Sequence, residues 1–369
     1  MSWIVDEIEA RGGSVPFDEF MELALYHHEH GYYSSAMPRY GRGGDYLTAP
    51  TASEWYTRVF ARMLTRTART AGPLRMVDVA SGDGSLIAGV LESLGAGANG
   101  VLVDVVSVER TEAMRSRQID LLAQAPVPVR WIERVSELEP EGKLAVLHAS
   151  ELYDAQPVAR VVGRGGGLLE LWISIDDRVL AWSERPPRNE VAAYFERHGV
   201  TLEEGQIAEA NLTAEAMHRQ LLAAAGDYGL CLVLDYGYEA RRLYDPRGRL
   251  GGSLTTYRRH RLGRDPLESP GEVDLTAHVN WDDLRFAAET GGWTEFGLWP
   301  LAEFLVRAGL SDELEERGLG MDADLDAATV TARQEIKRLL DPEGMGSDLK
   351  VLIQAKGKMI DIAKSVLSF

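Results

Sequence analysis

Apolar residues in the first part of the chain recur at helical spacing, whereas from residue 75 onward they gather into short runs separated by amphipathic stretches. Phe20, Met21, Ala24 and Leu25 fall on one helical face after Val15-Pro16-Phe17, and the same periodicity resumes from Ser53 through Leu64. Residues 38 to 50, rich in Pro, Gly and Asp, predict a loop between these helices. Residues 75–79 and 101–109 predict strands, and 86–94 and 112–123 predict helices. That alternation predicts a parallel sheet with helices on both faces, continued by strands at 129–132 and 144–148.

After Pro157 the rhythm changes. Residues 168–175 and 178–182, joined at Asp176-Asp177, predict an antiparallel hairpin and hence an insertion. A helix within 213–225 then leads to a strand at 230–235 that returns to the parallel sheet. Beyond it come an Arg- and Gly-rich stretch at 241–264, a helix near 281–290, and a mixed carboxyl-terminal region.

Composition narrows the function classes. With 369 residues, 45% of them hydrophobic, the chain has ample apolar surface for a large core. Its 39 basic and 57 acidic residues give a formal charge of -18, which disfavours phosphate backbones and argues against nucleic acid as the main partner. A single cysteine, Cys231, excludes a disulfide framework and a thiolate metal cluster. No basic segment followed by an apolar one marks the amino terminus, and no stretch approaches the roughly 18 apolar residues of a membrane span. A cytosolic protein without a membrane partner is the expectation. His27, His28 and His30 lack a second ligand cluster, so no metal is expected and they are assigned to surface or packing roles.

Candidate chemistry concentrates where predicted strands end. Met76 to Leu86 reads as an apolar strand, a small-residue turn at Ala80-Ser81-Gly82-Asp83-Gly84, and a helix start. Ligands bind at such strand ends because glycines admit close backbone approach and helix N–H groups point outward. A pyrophosphate-binding turn would read G-x-G-x-x-G, but no third glycine follows, and Asp83 would oppose a phosphate. A nucleoside without phosphate suits the turn better. The bland alternative is a tight turn in which Ser81 or Asp83 caps the helix.

Glu109 ends the next strand, where an acidic residue in a Rossmann-like domain accepts ribose hydroxyls; the alternative is a first-turn interaction with the following helix dipole. Ser150, Glu151 and Asp154 follow the strand at 144–148. Carboxylates there could hold a cationic amine or guanidinium, or Ser150 and Glu151 could simply begin a helix. On a helical turn, Glu151 and Asp154 would share a face. Asp235-Tyr236-Gly237-Tyr238 ends the last core strand similarly, with a solvated turn equally open.

Gly44 to Pro50, Ala149 to Val158, Leu234 to Tyr238, Tyr257 to Arg261, Pro270-Gly271-Glu272, Asp274 to Val279, Met345-Gly346 and Lys350 to Leu352 together resemble the MidA family of S-adenosylmethionine-dependent methyltransferases. The resemblance spans nearly the whole chain in the family's order. It implies an α/β fold with a Rossmann-like class I methyltransferase sheet, a helical amino-terminal region and an inserted or appended α+β substrate region. The expected divisions are 1–70 with a cofactor-lid loop, the cofactor core at 71–158, an insertion at 159–228, and 229–369 for the remaining sheet and substrate region. The implied cofactor is S-adenosylmethionine, contacted by Gly44, Asp45 and Thr48 of the lid and by Asp78, Ala80, Gly82, Gly84, Glu109 and Ser150. Glu151 and Asp154 are the implied catalytic pair, and Asp235, Tyr236, His260 and His278 the substrate-side candidates. Mitochondrial members methylate a protein arginine in support of respiratory complex I assembly, which implies an arginine-containing protein substrate.

Departures from the family pattern fall at the expected site. The usual Gly-Pro-Gly-Arg-Gly turn appears here as Ala80 to Gly84, Ser150 replaces an asparagine, Thr51-Ala52 stands where Glu-Ile is usual, and Leu301 where a glutamine is. Two other functions therefore stand beside arginine methylation: O- or N-methylation of a small metabolite, and an assembly protein that keeps the cofactor pocket without turnover.

Overall fold

A computed structural model describes residues 2–34, 53–140, 142–258, 261–263, 265–319 and 326–367. At its centre lie seven strands: β1 (Leu74–Val79), β2 (Leu102–Val108), β3 (Val129–Ile132), β4 (Ala145–Ser150), β5 (Gly229–Tyr238), β6 (Thr294–Pro300) and β7 (Leu349–Lys356). Their order across the sheet is β3-β2-β1-β4-β5-β7-β6. β1 to β5 run parallel, and β7 lies antiparallel between β5 and β6. The order reverses beside β1, between β2 and β4, which opens a crevice at the strands' carboxyl ends.

Side-chain alternation explains how this sheet is covered on both faces. Along β5, Leu230, Leu232 and Leu234 enter one apolar cluster, while Cys231 and Val233 enter the other. Leu74 and Met76 of β1 join the first cluster, Val77 and Val79 the second. The helix Glu54–Ala71 presents Trp55, Val59, Phe60, Met63 and Leu64 to the first cluster. Ser53 starts it, its side chain accepting the Trp55 N–H at 3.2 Å. Fully burying each such large apolar side chain stabilises the fold by about 1.5–3 kcal/mol.

The expected hairpin is present as strands Gly167–Asp176 and Val179–Arg185. Its turn sits one residue later than expected: Asp177 and Arg178 both have positive φ, 46° and 63°, matching the twist of a two-residue hairpin. This hairpin belongs to an antiparallel sheet with Ala159–Arg164 and Ile207–Ala210. Ser14–Pro16, from the region expected to be helical, pairs with Gly167–Asp176, so the amino-terminal segment and the insertion share one sheet.

The 229–369 stretch, expected to hold the remaining sheet, supplies the full strands β6 and β7, which carry no clean apolar period. One expectation is corrected. No helix follows β4 at Glu151. The chain instead turns through residues 151–158 directly into the strand Ala159–Arg164, so Glu151 and Asp154 do not share a helical face. The cause is tertiary: Glu151 N–H still donates to Leu234 O at 2.8 Å, and the buried Asp235 carboxylate takes the Tyr153 N–H at 2.9 Å.

Candidate active site

The crevice is a cavity of about 570 Å³ whose walls include the β1 turn, Glu109, Ser150 and Glu151. At its floor Ala80 has φ 57° and Gly82 φ 54°, both left-handed, and Gly84 opens the helix Ser85–Leu94 with φ 84°. A Cβ on Gly84 would also stand 2.9 Å from Gln118 Cγ, so this glycine is required twice over. Asp83 caps the helix start, its carboxylate accepting the Ser85 N–H at 3.0 Å and the Ser85 hydroxyl at 2.6 Å. The capping role and the ligand-facing role of the turn are thus compatible.

Glu109 closes the turn from the neighbouring strand. One of its oxygens accepts the Gly82 N–H at 2.9 Å; the other accepts both the N–H and the hydroxyl of Thr111 at 2.8 Å. Burial raises its pKa, opposed by those three donors. A carboxylate has about four acceptor positions, so capacity remains for a ribose hydroxyl. Gln118 completes the frame by donating to Gly82 O at 2.7 Å and accepting from Ser107.

Asp78 lines the same cavity, but its carboxylate is engaged inward. It meets His148 Nδ1 at 2.9 Å, and His148 Nε2 meets the Tyr56 hydroxyl at 2.8 Å, all three side chains being buried. This chain ties the helix Glu54–Ala71 to β1 and β4. Ser150 Oγ, on the wall, is buried and has no hydrogen-bond partner among the described residues. An orphaned buried hydroxyl costs free energy, about 1–3 kcal/mol, that a polar ligand atom would recover.

At the β4 end the structure separates residues that are near neighbours in sequence. Glu151, with φ 49°, lines the cavity, whereas Asp154 is buried behind the wall. Burial and then the nearby Asp235, Glu151 and Asp274 hold the Asp154 carboxyl well above the usual carboxylate range. Asp235 is also buried, and its pKa is pushed up to about 7 by desolvation, against four backbone N–H donors. Asp235 thus acts first as the support of the Glu151–Asp154 loop. Tyr236 stands in the field of Glu151 and Asp154, and burial raises its pKa.

His278 lies off the cavity, its ring 5.6 Å from that of Tyr238. Gly44, Asp45, Thr48 and His260 fall outside the described residues, as does the expected lid loop. Several wall residues escaped the sequence reading. Glu22 and Tyr26 of the helix Phe17–Tyr26, with Tyr33, reach the cavity from the amino-terminal segment. Arg110 sits 4.2 Å over the Tyr26 ring, Tyr26 donates to Ala155 O at 3.0 Å, and Tyr33 donates to Asp274 at 2.8 Å. Nothing local marks them, because they are aromatic members of an ordinary amphipathic stretch.

Strand order, glycine turn and acidic residue at the second strand end define a class I methyltransferase-type nucleoside site. A family model described as putative S-adenosyl-L-methionine-dependent methyltransferase matches residues 56–299, and the chain belongs to that family, the MidA-like S-adenosylmethionine-dependent methyltransferases. A mitochondrial protein arginine methyltransferase NDUFAF7 homolog of Drosophila melanogaster is 27% identical, covering 94% of this chain and 82% of that protein. Homo sapiens NDUFAF7, of the same description, is 25% identical over 82% of this chain and 72% of its own. A crystal structure from Burkholderia thailandensis, bound to S-adenosyl-homocysteine, is 31% identical with a TM-score of 0.82, covering 95% of this chain and 90% of that one. The protein is an S-adenosylmethionine-dependent methyltransferase.

Proposed function

We propose that this methyltransferase modifies an arginine nitrogen of a protein. The observation that carries the reading is the position of Glu151 on the cavity wall in front of the buried carboxyls Asp154 and Asp235. The relatives named as protein arginine methyltransferases support it at 23–27% identity.

In this reading Gly82 and Gly84 lie under the cofactor, Glu109 receives the ribose hydroxyls, and the partnerless Ser150 Oγ takes a polar cofactor atom. The cofactor supplies an activated methyl group on a sulfonium. Glu151 holds the guanidinium in a fork-shaped pair and keeps one nitrogen turned toward that methyl. Glu151 would also receive the proton that the attacking nitrogen gives up on methylation, directly or through water. Asp154 stands behind Glu151 with its carboxyl held above the usual range by burial and the neighbouring acids, an effect that a bound cation would oppose.

Labelled-methyl transfer from S-adenosylmethionine into a lysate tests this, with the products separated into protein and small-molecule fractions. Acid hydrolysis of the protein fraction should release labelled methylarginine. Label confined to small molecules would replace this reading with metabolite methylation, and label in neither would leave a binding protein.

A further inference from the structure

One ring on the carboxyl edge of β5 gathers three positive charges. Arg242 Cζ lies 4.1 Å, Lys350 Nζ 4.2 Å and Arg249 Cζ 4.5 Å from the centre of Tyr238. Lys350 also donates to Gly237 O at 3.0 Å. Among the described residues no carboxylate comes within ion-pair distance of any of the three. Glu239 pairs with Arg285 at 2.8 Å and acts on Lys350 only from beyond ion-pair distance, and Asp245 pairs with Arg247 at 3.1 Å. In a chain with 57 acidic residues and a formal charge of -18, a trio of cations without an ion-paired carboxylate among the described residues runs against composition. His278 completes the group, with Nδ1 buried and without a hydrogen-bond partner among the described residues. Burial, Arg249 and Lys350 push its pKa down to about 4.

The cluster does not line the cavity, but the chain ties it to the Asp154 loop behind the cavity wall. Tyr238 lies two residues beyond Tyr236, roughly 7 Å along the strand. Ala277, the residue before His278, donates its N–H to Asp154 O at 2.9 Å. The basic cluster thus stands beside the loop that carries Glu151 and Asp154. We infer that Arg242, Arg249 and Lys350 around Tyr238 dock a carboxylate side chain of the methylated protein, a few positions from its target arginine. The inference rests on the arginine reading and deepens it by naming the substrate's neighbourhood. Arginine forks bind planar carboxylates, and a ring already bearing cations holds them in place without new ordering cost. One carboxylate needs only the local field of the three cations.

Two arms test it on the full-length protein. In the first, arginine peptides carrying Glu or Ala at flanking positions are methylated by wild type and by the Arg242→Ala/Arg249→Ala double variant. Wild type should show a KM at least tenfold lower for the Glu peptide. The double variant should bring that ratio near one while cofactor affinity, which reports folding, stays unchanged; Arg249→Gln alone should fall between. No preference in wild type, or an equal preference in the variant, overturns the proposal. In the second arm, anisotropy follows a fluorescent Glu-containing peptide lacking arginine. If no arginine peptide is methylated, the arginine reading falls and this arm alone decides: binding lost in the double variant supports the carboxylate site, and equal binding overturns it. A single-stranded oligonucleotide that binds wild type more tightly than the peptide also overturns it, in favour of a phosphate ligand.

Discussion

The glycine turn after β1, proposed to hold the cofactor, and the loop after β4, the proposed acceptor edge, sit at adjacent strand ends of one sheet, yet they are built differently. The turn is nearly local: Ala80 to Gly84 shape the backbone, Asp83 caps its own helix, and Glu109 reaches back from the next strand. The acceptor edge is assembled from afar. Asp235, 81 residues beyond Asp154, holds the loop through backbone N–H groups; Tyr153 rests on His218, and His218 on Gln354, 136 residues further. A self-contained turn survives changes elsewhere, whereas an edge supported by buried polar groups depends on their protonation and packing.

The largest expected effect breaks the comparison at the acceptor edge. Glu151→Gln keeps shape and removes charge, so single-turnover methylation at saturating cofactor should fall about 100- to 1000-fold, within the usual range for a lost acid–base group. Cofactor affinity by calorimetry should change little. Equal rates would deny the carboxylate any part in catalysis.

Next in size is acid sensitivity of the edge's support. His218 is buried between the Tyr153 hydroxyl and Gln354, and desolvation pushes its pKa down to about 4 from the ordinary 6.5. The unfolded chain therefore binds a proton below about 6.5 that the folded one refuses until about 4. Its stabilising contribution is complete above about 6.5 and is lost as pH falls toward 4, by up to ~3 kcal/mol. Asp235 has the opposite sign: its carboxyl, raised to about 7, keeps a proton that the unfolded chain releases above about 4, so that contribution fades as pH rises to 7. Urea unfolding of wild type and His218→Gln from pH 4.5 to 7.5 isolates the first slope by difference. Parallel curves would remove His218 as a source of acid lability.

A smaller effect sharpens the comparison at the turn. Gly82→Val places a β-branched residue at φ 54°, a conformation costing about 1–3 kcal/mol, so cofactor affinity should weaken roughly 10- to 100-fold. Calorimetry showing unchanged affinity would mean that the cofactor sits elsewhere.

The sequence by itself determined the parallel core, the hairpin, and the turn with Glu109, because each rests on a short period or on residues a few positions apart. Val77 and Val79 alternate with Leu74 and Met76 whatever surrounds them, and a Gly-rich strand-to-helix turn announces its conformation locally. Tertiary structure alone decided the rest. Asp78 lines the cavity, and its partner His148 becomes visible only when β1 and β4 lie side by side. Glu151 and Asp154 carried helix-compatible spacing, and a buried carboxylate on β5 turned their segment into a loop with one acid on the wall and one behind it. Tyr26 and Tyr33 reach the cavity because Ser14–Pro16 pairs with the inserted sheet and their segment packs across the β4 loop. Contacts between segments far apart in the chain follow from strand order and burial, which no local period encodes.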